Sequence, residues 1–289
     1  MIFKEMSNSE LIEEFLLSKA TLSNSTLTSY SSNLKKISAE IGLPFLKIEE
    51  KHIANYISQF EYFKTKTSYK TIIKVFFDWL IKQGLVSVNP AQDIKIKNGL
   101  KRTQKYMDHG DFEKILSQCQ GLRERSIVFF LWYTGVRAKE FRNIKLDDLD
   151  FENDIINVRV SKTAKGQRTI DIHPNLKLIL TEYLTATMKV RELDNGVSSP
   201  YLFLTKHGTK FHKRTIQHLI SQLQTSLGFN YGCHDFRRAF VTNVYFATKD
   251  IVLAQELAGH KSIETTRNYI LNDPRMRADK SRRFKAINF

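Results

Sequence analysis

Apolar positions recur at intervals of three and four along most of the chain, the spacing of helices that bury one face. Leu11, Ile12, Phe15 and Leu16 predict a helix over 9–18. Leu27, Tyr30, Leu34, Ile37 and Ile41 predict a second, with caps on offer at Ser23, Asn24 and Ser25 and a stop at Gly42. A third runs over about 49–60 with Ile53, Tyr56, Ile57 and Phe60 inward; a fourth, over about 68–83, carries Tyr69, Ile72, Ile73, Phe76, Phe77 and Leu80 and stops at Gly84. After Asn89-Pro90 the pattern fades, and 94–105 is polar, basic and without period. We therefore expect a helical domain over 1–98, a linker over 99–105 and a second domain over 106–289.

The second domain opens with a helix capped by Asp108, then the very apolar run 127–133, a helix buried all round that ends at Thr134-Gly135. The period changes to that of strands over 154–160 and 168–172, joined by 161–167 as a hairpin. Helices follow over about 175–190 and 213–227, another begins near Gly232, and one over 251–258 leads to Gly259. Ser262 caps a last helix, which carries Tyr269. The fold class is mainly α with a small β-sheet.

Composition sharpens the picture of partners. The 289 residues hold 45 Lys and Arg against 30 Asp and Glu, a net charge of +15, and only 12 Gly and 5 Pro. Such an excess marks a polyanion binder, with nucleic acid as the leading partner. It is uneven, 13 basic against 10 acidic residues before residue 99 and 32 against 20 after it, so the second domain carries most of the demand. No apolar stretch reaches the roughly 18 residues of a membrane span and no signal-peptide pattern opens the chain, so we expect a cytoplasmic, nucleoid-associated protein with no membrane partner. Cys119 and Cys233 are far apart and form no metal-ligand pattern; neither a metal nor a cofactor is indicated. Lys35, Lys36, Lys64, Lys66, Lys70 and Lys74 fall on the outer helix faces of the first domain, where phosphate contact is expected; Lys165 and Arg168 of the hairpin join them.

The candidate chemistry lies in Arg137, Lys162 or Lys165, His234, Arg237, His260 and Tyr269, with Glu140 placed to orient Arg137. This is a set suited to attack on a phosphodiester without a metal. Two guanidinium forks can neutralise the charge that builds on the non-bridging oxygens. Tyr269 is the expected nucleophile, His234 its base, a hairpin lysine the proton donor to the leaving oxygen, and His260 a hydrogen-bond donor to phosphate.

Thr134-Gly135-x-Arg137-x-x-Glu140, His234-x-x-Arg237 and Leu257-x-Gly259-His260, with Tyr269 nine residues further on, resemble the tyrosine recombinase family of phage-integrase and Xer-like enzymes. Residues 26–90 resemble the family's helical core-binding domain. The resemblance implies a C-shaped two-domain clamp around DNA. It implies a 3′-phosphotyrosyl intermediate that lets strands be cut and rejoined without metal or ATP, and a tetramer on two sites. It favours Lys162 over Lys165 as the hairpin acid. The tail 274–289, with Met276, Phe284, Ile287 and Phe289, resembles the segment by which family members pack on a neighbour. No arm-binding domain is expected before residue 1. A type IB topoisomerase-like nicking and closing enzyme, or a non-catalytic DNA-binding relative, are the rival readings.

Overall fold

The computed structural model describes residues 6–97, 106–159, 167–193, 199–276 and 278. The chain forms two compact units, residues 1–104 and 105–289.

The first unit is built from α1 (Asn8–Ser18), α2 (Asn24–Ile41), α3 (Glu50–Ser58) and α4 (Phe63–Lys82). Local chemistry sets most boundaries. Ser7 and Glu10 form a reciprocal capping box on α1, Ser23 caps α2, and Gly42 closes α2 at φ +69°. The start of α4 departs from expectation, lying five residues before the expected 68. Thr67 and Thr71 donate their hydroxyls to the carbonyls of Phe63 and Thr67, so threonines that read as a turn bond back into the helix instead. Phe15, Leu34, Phe45, Ile53, Phe76 and Leu80 are fully buried at the centre, each worth about 1.5–3 kcal/mol of apolar transfer. Phe15 meets the edges of Phe76 and Trp79, with centroids 5.3 and 5.7 Å away.

The segment after α4 belongs to this unit further than its polarity suggests. Ala91 and Ile94 are buried in the core, and Asn89 donates to the Lys74 carbonyl and the Asp78 carboxylate at 2.9 and 2.7 Å.

The second unit contains α5 (His109–Ser117), α6 (Leu122–Thr134), α7 (Ala138–Phe141), a three-stranded sheet, α8 (Pro174–Leu193), α9 (Lys213–Gln222), α10 (Cys233–Thr248), α11 (Ile251–Ala258) and α12 (Ile263–Leu271). The sheet is β1 (Leu149–Asp150), β2 (Ile155–Val158) and β3 (Arg168–Asp171) in that order, both pairings antiparallel. The β2–β3 register sets Ile156 opposite Ile170 and Val158 opposite Arg168. β1 is short and was not expected. The helix expected over 213–227 stops at Gln222, and a 3₁₀ turn, Thr225–Leu227, follows.

α6 packs against α8 and α10, and α10 against α11 and α12. The α6–α10 approach turns on Gly135. It ends α6 at φ +55°, and a Cβ there would lie 2.5 Å from Cδ1 of Phe240. No larger residue fits without moving α10. Among the described residues no helix is long and apolar enough to cross a membrane.

Candidate active site

Two helix starts and two helix ends converge in the second unit. α10 begins at Gly232, whose N–H donates to the Asp235 carboxylate at 2.8 Å, and this fixes the first turn that carries His234 and Arg237. α12 begins at Ser262 and brings Tyr269 back along α10. The Tyr269 hydroxyl and Nε2 of His234 lie 2.7 Å apart, a direct hydrogen bond between the expected nucleophile and the expected base. The Tyr269 ring stands edge-on to both His234 and His260, with centroids 5.7 and 5.2 Å away.

The arginines are held by backbone. A helix leaves its last carbonyls without intrahelical partners, at the negative end of its dipole. The end of α11 offers three in succession, and three arginines from distant parts of the chain take one each. Arg168 Nε donates to the Leu257 carbonyl at 2.7 Å, Arg237 Nη2 to that of Ala258, and Arg137 Nη2 to that of Gly259 at 2.9 Å. Arg237 also donates from Nη1 to the Gly135 carbonyl at the end of α6, at 2.9 Å. Among the described residues it is the largest fully buried side chain, 1% exposed.

Glu140 closes the arrangement. Only 3% exposed, it accepts from the Arg137 backbone N–H and Nη1 at 2.8 and 2.7 Å and from Arg168 Nη2 at 3.1 Å. Sequence spacing suggests that Glu140 orients Arg137 from the same helical face. Instead Arg137 is the N-cap residue of α7, Glu140 sits in its first turn, and one buried carboxylate serves two guanidinium groups. Burial pulls the Glu140 carboxyl upward, but Arg168 and Arg137 more than offset it, so its pKa lies below the ordinary 4.5.

Burial first, and then the charge on these arginines, governs the other titrations. Burial, with Arg238 and Arg237, lowers the His234 pKa, and burial with Arg237 and Arg137 brings His260 down to about 3. Both imidazoles are neutral at neutral pH, as a base and a neutral donor must be. Burial raises the Tyr269 phenol while Arg237, Arg238 and Arg137 oppose it, so the expected nucleophile rests as a protonated phenol on a neutral imidazole. His260 Nδ1 is 2.8 Å from the Thr266 hydroxyl, and its Nε2 is buried without a hydrogen-bond partner among the described residues. A buried unpaired N–H costs about 1–3 kcal/mol, a cost that an incoming phosphate oxygen would relieve.

The geometry thus brings Arg137, Glu140, His234, Arg237, His260 and Tyr269 together. Lys162 and Lys165 lie outside the described residues, as does most of the tail 274–289. Arg168, expected on DNA, is turned inward and only 7% exposed, because Glu140 and the Leu257 carbonyl hold its guanidinium. Lys70 and Lys74 are likewise engaged within the first unit. Lys70 donates to the Gln92 and Ile94 carbonyls at 3.4 and 2.6 Å, and Lys74 to the Gln92 side chain. Lys36 rests over the Phe60 and Tyr69 rings, 3.6 Å from Glu40, while Lys35 and Lys64 are exposed and Lys66 half-buried. Thr266 and Arg238 were missed; the signals were a hydroxyl six residues after His260 and a second arginine beside Arg237. Cys233 is no nucleophile, since burial pushes its thiol to about 11. Among the described residues no group of three or more His, Cys, Asp or Glu is arranged to hold a metal.

Tyrosine recombinase XerA of Pyrococcus horikoshii is 29% identical over 271 residues, covering 92% of this chain and 90% of XerA. Tyrosine recombinase XerC of Thermodesulfovibrio yellowstonii is 25% identical over 262 residues, covering 86% and 85%. Among solved structures, the Tn1549 transposon integrase in complex with transposon right end DNA superposes with a TM-score of 0.75 at 18% identity, over 97% of this chain and 100% of that one. A lambda integrase dimer bound to a COC′ core site gives 0.74 at 17% identity, over 93% and 77%. The phage integrase family profile matches residues 105–276, which include every residue of the cluster, and the chain therefore belongs to the phage integrase family of tyrosine-type site-specific recombinases.

Proposed function

We propose that this recombinase cuts and rejoins DNA through a 3′-phosphotyrosyl intermediate on Tyr269, without metal or ATP. The observation that carries the reading is the 2.7 Å hydrogen bond between Tyr269 and His234, beside two arginines fixed by helix-end carbonyls. Proton and electron pairs balance simply. The phenol proton passes to His234 Nε2 as the Tyr269 oxygen attacks phosphorus, and the P–O5′ bond breaks. Arg137 and Arg237 hold the non-bridging oxygens, and the His260 Nε2–H donates to one of them; each such donor is worth roughly 10²–10³ in rate. Lys162 delivers the proton to the leaving 5′ oxygen. The phosphotyrosyl bond retains the energy of the broken diester, so a second 5′-hydroxyl can attack it and release Tyr269.

Strand exchange between two sites needs four active protomers, and we propose a tetramer joined through the tail beyond residue 274. The first unit, with Lys35, Lys36, Lys64 and Lys66 as phosphate contacts, also grips double-stranded DNA, a reading supported by the likeness to the Tn1549 transposon integrase in complex with transposon right end DNA and to the lambda integrase dimer bound to a COC′ core site. Lys70 and Lys74 are better assigned to holding the 92–94 segment.

A pool of nicked duplexes with randomised sequence tests the reading. The wild-type protein is expected to trap a covalent adduct that survives denaturation and EDTA, and the recovered DNA reports the site. Tyr269→Phe is expected to bind the same DNA and trap none. An adduct in the Phe variant removes Tyr269 as nucleophile, and an adduct lost with EDTA removes the metal-free mechanism.

A further inference from the structure

Arg238 lies one residue beyond Arg237 and has no part in the mechanism above. Its side chain is 11% exposed, and its Nη1 donates to the Asp235 carboxylate at 3.0 Å. Asp235 is itself tied to the Gly232 N–H. The guanidinium therefore hangs from the rigid first turn of α10. Its carbon lies 5.6 Å from the centroid of the Tyr269 ring and 5.9 Å from that of Tyr106. A planar cation within 6 Å of two aromatic ring centres is attracted to both, and it restrains the ring that it covers.

We propose that Arg238 is a positioning residue for the nucleophile: held by Asp235 over the Tyr269 ring and near that of Tyr106, it keeps the Tyr269 ring beside His234 and sets the pH window in which that pair can react. The inference rests on the reading of Tyr269 and His234 as nucleophile and base. Among the described residues, the charges that face the pair are Arg137 from the start of α7 and Arg237, Arg238 and Asp235 from α10, with the titratable but neutral His260 after α11. Arg137 and Arg237 are committed to Gly259, Gly135 and Ala258 carbonyls. Of the three arginines, Arg238 alone is described stacking over the Tyr269 ring. A fixed cation there favours both the phenolate over the phenol and the neutral imidazole over imidazolium. The two effects largely cancel for the proton passing from Tyr269 to His234. They do not cancel for protonation of His234 from solvent, so Arg238 extends the competent state to lower pH.

The test needs no DNA, and so separates this inference from the recombinase mechanism. Histidine ring signals of the full-length protein are followed by NMR during a pH titration, with the His234 signal assigned from its loss in His234→Gln. Arg238→Gln and Arg238→Met both remove the charge, the second keeping an apolar stem in the same space. Either variant is expected to move the His234 midpoint upward from its wild-type position, with the other histidines unmoved as the check on folding. Arg238→Lys, which restores the charge, is expected to bring the midpoint back toward wild type. A His234 midpoint that stays at its wild-type value in a folded charge-removing variant overturns the proposal. So does a Lys variant displaced as far as the Gln variant.

Discussion

Arg137 donates from Nη2 to the carbonyl of Gly259 at 2.9 Å across 122 positions of sequence, and this contact is one of a row. Leu257, Ala258 and Gly259 present successive carbonyls at the end of α11, and Arg168, Arg237 and Arg137 take them in that order. A helix end that faces solvent would give these acceptors to water. Here it spaces three guanidinium groups that would otherwise repel, and Glu140 supplies the carboxylate between two of them. The charge proposed to hold the phosphate is therefore assembled in the protein alone, which is the condition for electrostatic preorganisation.

Gly259 is the hinge of that row. It closes α11 at φ +65°, and a Cβ there would meet Arg168 Nη1 at 3.0 Å and Cδ at 3.1 Å. Gly259→Ala is expected to cost about 1–2 kcal/mol from the left-handed backbone alone. Displacing Arg168 and the carbonyl row adds a loss of strand cleavage out of proportion to that destabilisation. Thermal melts and adduct yield measured on the same preparation check it; cleavage that falls only as far as the folded fraction contradicts it.

Glu140→Gln removes the charge that two arginines share. A buried pair broken on one side typically loses about 3–5 kcal/mol, and the partly exposed Arg137 places the expected loss near the lower end, roughly 3 kcal/mol at neutral pH. The pH dependence has a definite sign. The Glu140 carboxyl titrates lower in the folded protein than its ordinary 4.5, so its contribution is fully present above 4.5 and fades as pH falls through the folded value. Urea unfolding of wild type and variant should therefore show a stability gap that is constant around neutrality and closes in acid. A gap that widens in acid means the carboxylate is not the stabilising form.

How much of this was legible in the chain follows from the range of each interaction. Ser23, Asp108 and Ser262 act on backbone within three residues, and their caps are found where the sequence suggests. Arg137, His234, Arg237, His260 and Tyr269 are recognisable as a chemical set, and they meet in one place. The acceptors that hold them are backbone carbonyls, which carry no residue type to read. Arg168 shows the consequence: a basic residue at the base of a hairpin looks like a DNA contact until the Leu257 carbonyl and Glu140 claim it. Lys70 is similar, because its partners are the carbonyls of Gln92 and Ile94, in a stretch whose polarity reads as linker.

The junction of α6 and α10 gives a test by suppression. A Cβ at residue 135 would lie 2.5–2.8 Å from three atoms of Phe240, so Gly135→Ala combines positive φ with overpacking, each worth about 1–3 kcal/mol. Removing the ring should recover part of the loss. In a double-mutant cycle Gly135→Ala and Phe240→Leu are expected to couple by about 0.5–3 kcal/mol, with the double variant more stable than the two single losses predict. Strict additivity would mean that Phe240 relaxes away from the new methyl without cost.

Thr266 decides what His260 can do. The imidazole is buried, its Nδ1 is 2.8 Å from the Thr266 hydroxyl, and burial with the surrounding arginines takes its pKa to about 3, so it works as a neutral ring. A neutral ring has one proton. With Thr266 donating to Nδ1, that proton sits on Nε2, the buried nitrogen without a protein partner, where it can meet a phosphate oxygen. Thr266→Val keeps the shape and removes the hydroxyl, freeing the ring to take the other tautomer. Cleavage is expected to slow by up to about 10²-fold, the lower range for losing one oxyanion donor, with DNA affinity unchanged and Thr266→Ser close to wild type. The pH profile supplies the second check. Because His260 remains neutral down to about 3 and the His234 pKa is lowered below the ordinary 6.5, the acid limb of the rate belongs to His234, lies below 6.5, and is expected to persist unchanged in Thr266→Val. A Val variant that cleaves at the wild-type rate would leave His260 without a donor role.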